Sequence, residues 1–141
     1  MTLYLRGLSA AVLLLAIPLW VACQRESIPK PEEQLVGRWE WQQTAAPNSP
    51  VLTPATTGHR VVVEFDRRGR ARFYEDDNFV SATVFAVRRE RQGIGKPVRQ
   101  VLMYRGYRGT QLYTISGNNL QLRDSNGEPF QHSYIRVAQK Q

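Results

Sequence analysis

The chain has 141 residues, with 19 Lys plus Arg against 12 Asp plus Glu, a formal net charge of +7 and a pI near 10.1. That length allows one domain with one ordinary core once a leader is removed. A single cysteine, Cys23, excludes a disulfide framework within the chain, and only two histidines, His59 and His132, leave no zinc set.

Residues 1–22 carry one charge, Arg6, followed by an apolar run from Leu8 to Ala22 that Pro18 interrupts. The run is shorter than the ~20 residues a membrane-spanning helix needs. It ends on a small residue directly before Cys23, which is signal-peptide anatomy. The plainer alternative is a buried N-terminal helix with Cys23 in the core. Leu19-Trp20-Val21-Ala22-Cys23 resembles the lipobox of bacterial lipoproteins, with Trp20 where an aliphatic residue is usual. The resemblance implies acyl chains such as palmitate on Cys23. It also implies a lipid-anchored place in the cell envelope, at the outer membrane. Each buried CH₂ of such a chain contributes ~0.8 kcal/mol, so two or three chains anchor a small domain firmly. Residues 24–34 then read as an extended, polar tether with Pro29 and Pro31. Its last residues, Pro31 to Leu35, suit one helical turn, with proline at the start and acids in the first turn. The expected division is 1–22 signal peptide, 23–34 lipidated tether and 35–141 folded domain.

From Gly37 onward the pattern is short alternating apolar runs between turn residues, without long helical periodicity. Eight strands are predicted: 39–44, 60–66, 71–75, 79–89, 98–105, 111–116, 119–124 and 130–138. Asp66-Arg67-Arg68-Gly69, Gly117-Asn118 and Ser125-Asn126-Gly127 carry hairpin chemistry. Glu75-Asp76-Asp77-Asn78 is acidic but lacks further ligand spacing, so it reads as a turn and not as a metal loop. Residues 45–59 form a long connection with Pro47, Pro50 and Pro54, a length usually found in functional or lid-like loops. Eight sequential strands with mostly short links imply an all-β, antiparallel up-and-down barrel, since closure removes exposed edges. Closure also makes the first and last strands neighbours, which places Trp39 and Arg136 at one end and the 45–59 connection at the other.

Gly37-Arg38-Trp39 and the late Ser133-Tyr134-Ile135-Arg136 resemble the lipocalin (calycin) pattern seen in bacterial envelope lipoproteins. That pattern implies an eight-stranded barrel, a structural trio of Gly37, Trp39 and Arg136, and a tendency to bind small molecules. No C-terminal helix or cysteine pair accompanies the motif.

Two functions follow from this reading. In the first, the barrel mouth binds a small hydrophobic or amphipathic molecule. Parity puts Trp41, Val61, Val63, Phe73 and Tyr134 inside, with Arg60, Arg105 and Tyr107 at the rim to meet an anionic head group. The same apolar residues could instead fill a narrow barrel. The chain would then be a tethered envelope protein that meets another protein or an anionic glycan through its basic surface. The high pI alone would suggest nucleic acid, but the leader places the domain outside the cytoplasm, so no nucleic-acid partner is expected. Neither histidine has a nucleophile motif beside it. The expectation is therefore no enzyme, no catalytic residue, no metal and no cofactor, with His132 in the barrel wall and His59 at a loop end.

Overall fold

The computed structural model describes residues 30–138. The leader, Cys23 and the tether as far as residue 29 lie outside the described residues.

The described chain opens with a single helical turn, α1 (Pro31–Leu35). Proline at its start gives up an N–H that would have no helical partner. The Lys30 N–H donates to Glu33 Oε2 at 3.2 Å, which closes the turn. Strands β1 (Gly37–Ala46), β2 (Ser49–Leu52), β3 (Val61–Phe65), β4 (Arg70–Glu75) and β5 (Asn78–Arg91) follow, with a second short helix, α2 (Pro54–Thr57), between β2 and β3. Then come β6 (Val98–Tyr104), β7 (Thr110–Ser116), β8 (Asn119–Asp124) and β9 (Gln131–Val137). Each of β1 and β3–β9 pairs antiparallel with the next in chain order, and β1 also pairs with β9. Eight strands thus close an up-and-down barrel.

The 45–59 connection differs from a plain loop. The β1 strand runs on to Ala46, turns at Pro47-Asn48, and β2 returns along it with Thr44 opposite Leu52. Thr53 then caps α2, its Oγ1 accepting from the Thr56 N–H, and Gly58 ends it at φ 76°. Three prolines do not prevent this, because Pro54 takes the first helical position and β2 is an exposed edge strand, where a missing N–H is tolerated.

Strand alternation sorts the side chains. Trp39, Val63, Phe65, Ala71, Phe85, Leu102, Tyr113, Leu120 and Leu122 point inward and form one buried cluster, joined by Leu35 from α1. The Phe65 and Phe85 rings meet edge to face at 4.9 Å. On the outer face, Arg38, Glu64, Arg72 and Asp66 make a ladder of ion pairs across β1, β3 and β4, with contacts of 3.1–3.3 Å. Arg38 also lies 5.1 Å over the Tyr74 ring.

One end of the barrel is closed by α1. Leu35 is fully buried, and the carbonyls of this turn are taken up by barrel side chains. Trp39 Nε1 donates to the Leu35 carbonyl at 2.8 Å, and Tyr113 Oη donates to that of Pro31 at 3.0 Å. Arg136 Nη1 and Nη2 donate to the carbonyls of Val36 and Gln34 at 2.7 and 3.1 Å. A short helix cannot satisfy its last carbonyls itself, so these four bonds are what hold it over the opening. Across the β1–β9 seam Trp39 sits opposite Arg136, whose guanidinium lies 4.2 Å from the indole centroid. Gly37 is where the backbone makes room: its φ is +138°, and an added Cβ would come within 2.5 Å of Arg136 Nη1.

This geometry sets two expectations for urea denaturation. Replacing Arg136 by Lys keeps a charge but loses the planar stack and the forked pair of bonds, and should cost about 1–3 kcal/mol. Gly37→Ala should cost about 2 kcal/mol or more, from backbone strain and the displaced guanidinium. If both variants unfold at the wild-type midpoint, the closed end is not held in this way.

A cavity at the open mouth of the barrel

The opposite end carries the β1–β2, β4–β5, β6–β7 and β8–β9 connections. A cavity of about 510 Å³ opens there. Its apolar part is formed by Val63, Phe73 and Leu122, and its walls include Tyr104, Tyr107 and Tyr134. Phe73 and Tyr104 meet edge to face at 5.9 Å, and Tyr104 and Tyr107 at 6.2 Å. Ser81, Thr110, Gln111, Asn126, Asp124 and His132 supply the polar lining. Asp124 is the one carboxylate among the lining residues, and Lys and Arg are absent from them. A larger hollow of about 760 Å³ lies outside the closed end between α1 and the β3–β4 turn. Lys30, Glu32, Glu33, Asp66 and Arg67 line it, so it is a solvated cleft between charged groups and not part of the barrel interior.

The inward parity that builds the core continues into this polar lining. Tyr104 lies two residues beyond Leu102, Gln111 two before Tyr113, Asp124 two beyond Leu122 and His132 two before Tyr134. Residues two apart on a strand share a face, so each of these strands changes from apolar to polar as it nears the mouth.

Hydrogen bonds link the lining to β1. The β1–β9 register slips between Trp41 and Gln43, and this bulge brings Thr44 opposite His132. Trp41 Nε1 donates to Thr44 Oγ1 at 2.9 Å, and Thr44 Oγ1 lies 2.8 Å from His132 Nδ1. An indole N–H can only donate, so Thr44 accepts from Trp41 and keeps its own proton for His132 Nδ1. This network assigns the imidazole proton to Nε2, which faces Asp124 Oδ2 at 3.4 Å. Gln111 Nε2 donates to Asp124 Oδ1 at 2.8 Å. Every arrow of the chain therefore ends on Asp124. Phe130 stacks on the His132 ring with centroids 6.5 Å apart, fixing its plane.

The tyrosines feel the same carboxylate. Burial first, then the Asp124 charge, pushes the Tyr134 hydroxyl up to about 12. Tyr104 is pushed upward by burial, then by Tyr134 and Asp124. Both rings are partly exposed through the open cavity, yet protein atoms crowd their hydroxyls.

Of the residues expected at the mouth, the structure brings Val63, Phe73, Tyr107 and Tyr134 together around the cavity. Trp41 is buried, its ring nitrogen turned to Thr44. Val61 is half-buried at the rim, opposite Glu75. Arg60 turns to the outer surface, where its guanidinium binds Glu40 at 2.6 Å and Asp77 at 2.8 Å. Arg105 is exposed in the β6–β7 connection, and its N–H donates to the Val84 carbonyl. The segment 45–59 supplies none of the lining residues. Tyr104, Gln111, Asp124 and His132 were not among the expected lining.

Glu75-Asp76-Asp77-Asn78 is a tight hairpin turn with φ of 50° and 67° at the two aspartates. The Asp76 carboxylate accepts from the Arg60 N–H at 2.8 Å and contacts His59 Nδ1 at 2.9 Å. His59, Glu75 and Asp76 converge with ligand atoms within 4.8 Å of one another, all exposed to solvent. The Asp76 hydrogen bond, then the Glu75 charge, raises the His59 pKa. These contacts join the turn to the start of β3.

No protein-family model matches the sequence, and no curated protein matches it. The closed eight-stranded, up-and-down order is consistent with a lipocalin-like fold, and an open-mouthed barrel of this kind is compatible with ligand binding.

Tyrosinate absorbance checks the electrostatics of the mouth. Tyr134 should ionise near pH 12 in the folded protein, against an ordinary value of 10.0, and Tyr134→Phe identifies its step. Asp124→Asn should lower that midpoint but leave it above 10.0, because burial is the larger cause. The unfolded chain loses this proton first. The stabilising contribution is therefore complete below about pH 10 and disappears as pH rises through about 12. A native Tyr134 that ionises at the ordinary value would contradict the crowding of its hydroxyl.

Proposed function

We propose that the chain is a lipid-anchored, lipocalin-like envelope protein of the outer membrane that holds a small amphipathic molecule in the barrel mouth. It acts as a binder and not as an enzyme. The observation that carries this reading is the cavity of about 510 Å³, apolar below and polar at its opening. Its size lies within the ~300–1,000 Å³ range of small-molecule sites. An apolar tail that covers about 200 Å² would contribute ~5 kcal/mol before the costs of association. The polar end of the ligand meets Asp124, His132 and two tyrosines, while Arg60 is held outside by Glu40 and Asp77. That lining favours a donor or a cation, such as an alcohol or an amine, over the anionic head that the rim arginines suggested. The four aromatic rings of Phe73, Tyr104, Tyr107 and Tyr134 add favourable faces for an ammonium group.

A titration with an alkyl amine, an alcohol and a fatty acid of equal chain length, followed by tryptophan fluorescence, tests the mouth. The amine should bind at least about tenfold more tightly than the acid, as expected for one carboxylate without a counter-cation. Asp124→Asn should shrink that preference. Absence of saturable binding by all three would favour the alternative, a barrel that meets an envelope protein or glycan through its exterior.

The anchor is tested separately. Cys23→Ser should release the chain from the membrane fraction or leave it as uncleaved precursor, and the mass of the wild-type N-terminus should show acyl chains on Cys23. Normal processing with unchanged membrane attachment would refute the lipidation reading.

A further inference from the structure

The β5–β6 hairpin leaves the barrel. Strand β4 pairs with β5 only as far as Val84, and β7 pairs with β6 only from Val101 to Met103. Beyond these points β5 and β6 pair with each other alone, through Arg89–Gln100, Glu90–Arg99 and Arg91–Val98. The result is a two-stranded ribbon that extends beyond β4 on the closed-end side, while its Val98–Gln100 edge stands across a hollow of about 480 Å³ from Leu112–Thr114 of β7. Residues 88–99 hold five cations, Arg88, Arg89, Arg91, Lys96 and Arg99, against one acid, Glu90. That surplus of four is more than half of the chain's net +7. Glu90 is paired with Arg88 and stands opposite Arg99. The other face has Arg89 and Arg91 opposite Gln100 and Val98. At the tip Ile94 is fully exposed between Gly93 and Gly95, and Val98 is 48% exposed.

Charged side chains along unpaired edges also keep strands from joining other chains. Edge protection needs charge alone, however, and gives no reason for a bare isoleucine at the tip. An apolar tip on a cationic stem matches the interface of an anionic bilayer, where basic groups meet head groups and a short apolar wedge enters the acyl boundary.

Position supports the same partner. The chain enters the described fold at Lys30, beside α1 and therefore at the closed end, as the Tyr113–Pro31 bond and the contacts of α1 with β5 show. Only seven Cα–Cα steps, with six residues between, separate Lys30 from Cys23. Fully extended they reach at most about 25 Å. We infer that the β5–β6 ribbon is a docking surface for the anionic phospholipid face of the membrane that carries the tether. Its orientation rests on the proposed anchor, whereas its charge and its tip do not. Docked in this way, the closed end faces the bilayer and the tether need not bear the domain alone.

The test uses the unacylated chain from Gln24 onward, since α1 and the closed barrel with its continuous core lie wholly within residues 30–138. Co-sedimentation is measured with vesicles of phosphatidylcholine alone and with added phosphatidylglycerol. Binding should require the anionic lipid and vanish in high salt, as screening demands. The combined variant Arg89→Gln, Arg91→Gln, Lys96→Gln, Arg99→Gln should bind at least about tenfold more weakly. Ile94→Ser should bind several-fold more weakly at unchanged charge. Near-UV circular dichroism confirms that these exposed changes leave the barrel folded. Equal binding to neutral vesicles, wild-type binding by the fourfold variant, or capture by an anionic glycan without capture by vesicles would each overturn the inference. Absence of acyl chains on Cys23, seen by mass, would remove the anchor yet leave the vesicle result standing.

Discussion

The guanidinium of Arg136 over the indole of Trp39 is the contact on which the rest of the closed end depends. The two residues are nearly a hundred positions apart, so bringing them together fixes the whole length of the barrel chain. Loop closure of this size is costly but grows slowly with length. The β1–β9 seam offsets it with a ladder from Arg38–Val137 to Ala45–Gln131. At the stack, side chains of the seam also reach out of the sheet to the α1 turn. Arg136 binds two carbonyls of the α1 turn, Trp39 binds a third, and Gly37 has no side chain because the guanidinium occupies that space. Seam, plug and glycine form one arrangement, and none of the three has its observed geometry without the other two.

The two ends of the barrel treat inward-facing polar groups differently. At the closed end Tyr113, Trp39 and Arg136 spend their donors on backbone carbonyls, so a helical turn too short to be stable alone is held in place. At the open end the polar groups bind one another. Trp41 donates to Thr44, Thr44 to His132, and His132 and Gln111 to Asp124, and no helix residue lines the cavity around them. A carboxylate can accept about four hydrogen bonds. Asp124 receives one short bond and one long one, so its acceptors face the cavity with capacity left. The same alternation that produces a sealed core at one end produces a shaped, singly charged opening at the other.

Much of this architecture was legible from residue types. Alternation with a period of two and turn chemistry located the eight barrel strands, and the parity of a closed meander placed Trp39 against Arg136. In the 45–59 segment three prolines obscure the β1–β2 hairpin, and the sequence alone reads as an open connection. Proline breaks a central strand, but β2 is an exposed edge and Pro54 starts a helix, so neither prohibition applied. At the mouth, Val63, Phe73 and Tyr134 follow from strand parity and Tyr107 from its place in the β6–β7 connection, whereas Asp124, His132, Gln111 and Tyr104 do not stand out by apolar alternation. Their signal was present: each continues the inward register of its strand by two residues. Apolar alternation ends where the polarity changes, and that change marks the opening. Arg60 failed as a rim cation for another reason. Two nearby carboxylates, Glu40 and Asp77, come from strands and turns that adjoin only in the folded sheet.

The entry of the chain at Lys30 and the position of the mouth together constrain how the proposed lipid-anchored binder would exchange a ligand. The chain enters at the closed end, and the mouth lies one barrel length away, roughly 20–25 Å for strands of six or seven residues. With the proposed anchor at Cys23 as the single attachment, nothing would fix the barrel axis relative to the bilayer, and the mouth could sample it. A second attachment at the β5–β6 ribbon removes that freedom, because two points on the same end fix the barrel axis relative to the surface. The mouth is then directed away from the anchoring bilayer. Under the proposed binding role, a ligand would then come from, or pass to, the aqueous side or a partner there. The lining agrees with such exchange. It offers partial apolar cover and an accessible carboxylate, and not the sealed apolar interior that would retain a lipid withdrawn directly from a membrane.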